Sequence, residues 1–159
     1  MSGKGSRYRV SVRQDLRPAV LSGKHLKELV IAALELIPAS GADLRIRVAG
    51  DAAIASLNRE FFGKDGPTNV ISFPDNDGPP EAGGVVSGDI MVSAPTCLSQ
   101  TQGWSGSPEE RVFFFILHGM LHLAGYDHIH GGAQEKRMRR KELCLFRQII
   151  PGIRMGGKA

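Results

Sequence analysis

The chain has 159 residues, 42% of them hydrophobic, with two cysteines and a formal net charge of +4. That length is one domain with enough apolar content to bury a core without disulfides, and two isolated thiols fit a reducing compartment. Lys4, Arg7 and Arg9 precede no apolar run, and the longest apolar stretch, 112–117, is too short to span a bilayer. Neither a secretion signal nor a membrane partner is therefore expected, and the reading is cytoplasmic.

Tyr8, Val10 and Val12 alternate with Arg9, Ser11 and Arg13, which predicts a first strand with one wet face. Leu26, Leu29, Val30, Ala33, Leu34 and Ile37 follow helical spacing between Ser22 and Pro38. Leu44, Ile46 and Val48 alternate with arginines as a second strand, after which Asp51 is expected to cap a helix carrying Ile54, Leu57 and Phe61. Segments 69–73 and 89–92 read as two more strands, separated by a Pro/Gly/Asp-rich loop over 74–84 that is expected to be mobile. Ser107, Pro108 and Glu110 supply an N-cap, a first-turn proline and a capping-box carboxylate for a helix running to Ala124. A last helix spans about 132–150, with Met138, Leu145, Phe146 and Ile149 inward and Pro151 ending it, and residues 152–159 are expected to be a disordered tail. The order predicts a single α+β domain over 1–159, with one four-stranded mixed sheet and about five helices.

The most informative segment is His118-Gly-Met-Leu-His122-Leu-Ala-Gly125-Tyr126-Asp127-His128. Four helical residues turn through about 400°, so His118 and His122 project from nearly one face and both reach a single ion. On a continuous helix His128 would lie roughly 15 Å from His118, but a left-handed reversal at Gly125 returns it to the metal. Three nitrogen ligands suit one Zn2+ per chain, and a tetrahedral site then keeps a position open for catalysis. The site is thus expected at the end of a C-terminal helix. His130 as a fourth ligand would make the zinc structural instead.

The spacing His-x-x-x-His-x-x-Gly-x-x-His is that of the metzincin proteases, whose general-base glutamate follows the first histidine. Here that position is Gly119, so a protease of that type is disfavoured.

Beyond the histidines, the chain contains Leu57-Asn58, then Gly63-Lys64-Asp65-Gly66-Pro67-Thr68-Asn69-Val70-Ile71-Ser72-Phe73-Pro74, then Gly88-Asp89-Ile90. Together with the histidine segment, and with Glu135, Met138 and Glu142 after it, these closely resemble the YbeY family of bacterial endoribonucleases. The resemblance implies a zinc-dependent, single-strand-specific RNA hydrolase acting in 16S rRNA 3′-end maturation and ribosome quality control. It implies His118, His122 and His128 as zinc ligands, with single-stranded RNA, rRNA and the small ribosomal subunit as partners and no DNA. Two other classes remain open: a metal-dependent peptidase lacking the usual Glu, and a non-enzymatic ribosome-binding factor with structural zinc.

Further residues are assigned roles as expectations. Ser72 lies on a strand that would line the cleft, holding a phosphate or a base, or else simply facing a backbone carbonyl. Asp89 and Asp127 are each open between orienting a ligand histidine and shaping a turn. With Gly119 lacking a side chain, Asp127 is the candidate to take the proton of an attacking water through a relay; the RNA 2′-hydroxyl is an alternative nucleophile. Charge divides sharply: residues 1–28 hold seven Lys and Arg against two acids, 29–129 five against twelve, and 130–159 eight against two. Lys136, Arg137, Arg139, Arg140 and Lys141 form either an RNA-backbone grip, with Arg139 and Arg140 at its centre, or a solvated helix face. Trp104 and Tyr126 are read as core residues rather than base-stacking ones. In most relatives of the resembled family an arginine precedes the Gly-Lys-Asp segment, whereas this chain has Phe62; Arg59, three residues earlier, is the expected substitute, with Lys64 as the alternative.

Overall fold

Four strands form one mixed sheet in the order β1-β2-β4-β3 in the computed structural model, which describes residues 7–16, 19–75, 83–126 and 132–156. Strands β1 (Tyr8–Gln14), β2 (Ala39–Ala49) and β4 (Gly83–Ser93) run parallel, and β3 (Val70–Pro74) pairs antiparallel with β4 at the sheet's edge. Five helices accompany them among the described residues: α1 (Gly23–Leu34), α2 (Asp51–Phe62), α3 (Ala94–Gln100), α4 (Pro108–Leu123) and α5 (Gly132–Ile149). The expected single α+β domain is therefore what forms.

The two faces of the sheet are used differently. Val10, Leu44, Ile46, Val48, Val86, Ile90 and Val92 point to one face, where α1 and α4 lie on the sheet and α5 packs on those two helices to complete the main core. On the other face Ala49, Ile71 and Met91 pack with Ile54 of α2, flanked by Ala53, Leu57 and Phe73, which gives a second, smaller cluster. Helix α2 covers the β3–β4 half of this outer face. Across β1 and β2 the same face carries Ser11, Arg13, Arg45 and Arg47.

Local chemistry explains most boundaries. Ser22 Oγ accepts the His25 N–H at 3.1 Å and starts α1, which ends at Leu34, with Ile37 still buried just past it. The expected Asp51 cap is corrected: Gly50 is the N-cap of α2, and the Asp51 carboxylate instead accepts the hydroxyls of Ser93 at 2.5 Å and Thr96 at 2.6 Å. Those two hydroxyls, Ser93 first, hold the Asp51 pKa below its ordinary value. The start of α2 is thereby clipped to the start of α3, a helix the hydrophobic pattern does not isolate because it is only seven residues long.

Strand β4 is longer than its predicted core, beginning at Gly83 inside the expected loop; residues 76–82 of that loop lie outside the described residues. In the tail, the Ser105 N–H donates to Arg154 O at 2.9 Å and the Arg154 N–H donates to Ser105 Oγ at 2.7 Å, while 157–159 lie outside the described residues.

Candidate metal centre

Helix α4 is held at both ends, which fixes where its side chains emerge. At its start Ser107 Oγ accepts the Glu110 N–H at 3.1 Å, Glu110 Oε1 accepts the Ser107 N–H at 2.9 Å, and Pro108 occupies the first turn, as the sequence predicts. At its end the Tyr126 N–H reaches Leu121 O at 2.9 Å and the Gly125 N–H reaches His122 O at 3.1 Å. Gly125 has φ +104°, a conformation that disfavours side chains. This bond pair is a Schellman closure, so the predicted reversal at Gly125 is present.

Between these ends the two histidines converge. His118 Nε2 and His122 Nε2 lie 3.2 Å apart, with ring centroids 4.8 Å apart and the rings inclined at 72°. Two zinc ligands at about 2.0–2.1 Å in tetrahedral geometry sit roughly 3.3 Å from each other, so the pair fits one zinc ion without rearrangement. Behind them, His118 Nδ1 lies 2.6 Å from Glu142 Oε1, on the neighbouring helix α5. A carboxylate only accepts, so Nδ1–H donates to it, and Nε2 is left with its lone pair facing His122. Glu142 is 8% exposed, and a buried carboxylate is costly unless partnered.

The role of Glu142 was missed in the sequence, although a signal existed. It lies four residues after Met138 and three before Leu145, so a carboxylate occupies the buried stripe of α5. Among the described residues no group of three side chains able to hold a metal is assembled. His128, His130 and Asp127 fall in 127–131, outside the described residues.

Gly119 acquires a packing reason. A Cβ at this position would lie 3.2 Å from Ile90 Cγ2, and Ile90 is fully buried beneath α4 on the inner face of β4. The face of α4 on which a protease-type glutamate would project is thus pressed against the sheet. Gly88 plays a related part: a Cβ there would collide with Phe73 O and lie 3.0 Å from Leu123 Cδ2, so the Phe73 end of β3 sits close beside the last turn of α4.

The remaining expected residues are distributed over both faces. Ser72 pairs with Ile90, and opposed residues of an antiparallel ladder share a face, so Ser72 is half-buried on the α4 side of the edge strand. Asp89 is corrected as a histidine-orienting group: it lies on the outer face, where its Oδ1 accepts Arg45 Nε–H at 3.0 Å. Arg59 is exposed on α2 with its guanidinium 3.3 Å from Asp65, and Lys64 is exposed just beyond the Gly63 cap. Arg139 and Arg140 are exposed on α5, Arg139 within 3.9 Å of Glu135 one turn away. Trp104 packs on Phe114 at 5.2 Å, and Tyr126 is partly buried against the main core, so both serve the core as expected.

A family model described as Endoribonuclease YbeY matches residues 14–149. Proteins of that same description are similar over most of their lengths. One from Aquifex aeolicus is 39% identical over 127 residues, 79% of this chain and 81% of that protein. Another, from Geobacter sulfurreducens, is 33% identical over 147 residues, 90% of this chain and 95% of that protein. The solution structure of a Thermotoga maritima protein is similar in fold, with a TM-score of 0.60, 24% identity and 88% of each chain covered.

Proposed function

The chain belongs to the YbeY family, and from that premise we propose that it is a zinc-dependent endoribonuclease of single-stranded RNA, acting in the cytoplasm on 16S rRNA 3′-end maturation and ribosome quality control. The observation that carries this reading is the 3.2 Å convergence of His118 and His122 Nε2, with Glu142 holding the proton on the far nitrogen of His118. His118 and His122, joined by His128, are the proposed ligands. One zinc ion held there supplies Lewis-acid chemistry, acidifying water and polarising a phosphoryl oxygen.

The chain's own residues do the rest in this reading. Glu142 keeps His118 in the tautomer that presents a lone pair to the site. Because α4 packs against Ile90 at Gly119, proton transfer is assigned to Asp127 rather than to a side chain at 119. Arg59, or Lys64 in its place, meets the negative charge that develops on the phosphoryl oxygens. Ser72 contacts the substrate at the β3 edge, and Arg139 and Arg140 grip the backbone of RNA and thereby the ribosomal small subunit's rRNA.

The test incubates zinc-loaded protein with single-stranded rRNA and with casein, each with and without a chelator, alongside His122→Ala. RNA should be cut, casein left intact and the cutting stopped by chelation, while elemental analysis finds most zinc gone from the variant. Casein cleavage without RNA cleavage would make the protein a peptidase. Cleavage of neither would make it a binding factor with structural zinc.

A further inference from the structure

The outer face of the sheet holds a groove of about 500 Å³ between α2 and the uncovered strands β1 and β2. One wall is apolar, formed by Leu57, Phe61 and Met91, and the other is a row of guanidiniums from Arg13, Arg45 and Arg47. Phe61 is 56% exposed although its ring packs edge-on against Phe73 at 5.2 Å. Phe62, 51% exposed, extends the cluster through the same Phe73 ring. Large aromatic rings left open beside a concave surface are ordinarily explained by a ligand.

The charges of the groove decide what kind of ligand. Its three guanidiniums meet four carboxylates: Asp15 binds Arg13 at 2.9 Å and Arg47 at 2.5 Å, while Arg45 contacts Asp43, Asp75 and Asp89 at 3.3, 2.5 and 3.0 Å. A phosphate entering here would displace carboxylates and gain no net positive field. What the groove offers is a π face on one side and hydrogen-bond donors interleaved with acceptors on the other. An unpaired nucleobase presents the matching pair of surfaces, a flat face to stack and an edge with both donors and acceptors.

The groove and the last turn of α4, which follows His122, have strand β3 as a common neighbour. Phe73 belongs to both regions, because its side chain holds Phe61 and Phe62 on the outer face while its backbone lies against Gly88 and the last turn of α4. Among the described residues β3, five residues long, is the sheet edge that separates the two faces here, with β4 beside it and the Phe61–Phe62 end of α2 over Phe73.

We propose that this outer groove is a base-binding subsite for the single-stranded RNA substrate, in which one nucleotide flanking the cleaved bond wraps the β3 edge and stacks on Phe61. The inference rests on the RNA reading given above. It gives Phe61 the task of fixing the register of the strand without adding a charge.

The test measures steady-state cleavage of an RNA decamer, and of a set of decamers each carrying one abasic nucleotide, by the zinc-loaded full chain and its Phe61→Leu and Phe61→Tyr variants. Phe61→Leu keeps the apolar bulk and should raise KM about tenfold, the scale of one lost base-aromatic stack, with kcat changed less than about twofold. In the wild type one abasic position should raise KM by a similar factor, and Phe61→Leu should be blind to that position. Phe61→Tyr restores the wild-type pattern. An unchanged KM in Phe61→Leu, or abasic penalties that simply add to the substitution at every position, overturns the subsite while leaving the endoribonuclease reading intact. No cleavage or binding of any decamer by the wild type overturns both.

Discussion

The inner and outer faces of the one sheet solve opposite problems. The inner face is closed by α1 and α4 with α5 packed behind them, so its side chains are buried, and the histidine pair is held by α4 pressed on Ile90 and by Glu142 on α5. The outer face is half covered by α2, and its polar half is held by exposed ion pairs that water and salt weaken. Positioning two nitrogens to share an ion requires the first kind of environment. Admitting a flexible ligand requires the second. The difference shows how a small domain keeps a rigid centre and an adaptable surface on opposite sides of one sheet.

Several changes would break or sharpen this contrast, and the largest effect is expected at its most rigid point. Glu142→Gln removes the carboxylate that fixes His118, and zinc affinity should fall about 10- to 100-fold while the fold persists. Competition with a chromophoric chelator measures this; unchanged affinity would mean that α4 alone orients the ring. Next, Gly119→Ala gains helix propensity but crowds Ile90, and overpacking of about 1–3 kcal/mol against a gain of up to about 1 leaves a net loss of roughly 1 kcal/mol. Adding Ile90→Val should recover part of that loss in denaturant titrations, which a loss unrelated to the contact would not do.

Acid stability probes the clip between α2 and α3. The Asp51 pKa is depressed by the Ser93 and Thr96 hydroxyls, so its contribution is fully present above the ordinary value of 3.8 and is lost as pH falls through the lower folded value. Asp51→Asn should therefore flatten the stability profile below about pH 4, at a neutral-pH cost under about 1 kcal/mol. The smallest effect belongs to the outer surface. Asp65→Ala breaks an ion pair whose side chains are 75% and 89% exposed, and should shift stability by no more than about 0.5 kcal/mol.

The thiols offer a chemical version of the same comparison. Burial, followed by the nearby Asp51 charge, pushes the Cys97 pKa up to about 12, whereas Cys144 is exposed. A thiol reagent at pH 8 should label Cys144 promptly and leave Cys97 unmodified until the chain unfolds.

Much of this organisation was legible in one dimension because it depends on neighbours in sequence. The alternation in Tyr8, Val10 and Val12, the capping box at Ser107 and the glycine reversal at Gly125 are local geometry, and each appears where the pattern puts it. The convergence of His118 and His122 follows from a four-residue helical step alone. Residues that act at a distance were harder to read. Asp51 has the composition and position of a cap, but the hydroxyls that claim its carboxylate are 42 and 45 residues away. Asp89 looks like a turn residue or a ligand's support until strand register sets it opposite Arg45.

The sequence by itself therefore determined most element types, the short α3 excepted, together with the α4 boundaries and the pairing of two histidines, since these need only propensity, periodicity and caps. The tertiary structure decided which carboxylate stands behind His118, why residue 119 is glycine, and that Phe61 and three arginines share one groove. Those outcomes depend on which strands lie side by side and which helix covers which face. Sheet order is set by the burial of the whole apolar surface rather than by any local segment.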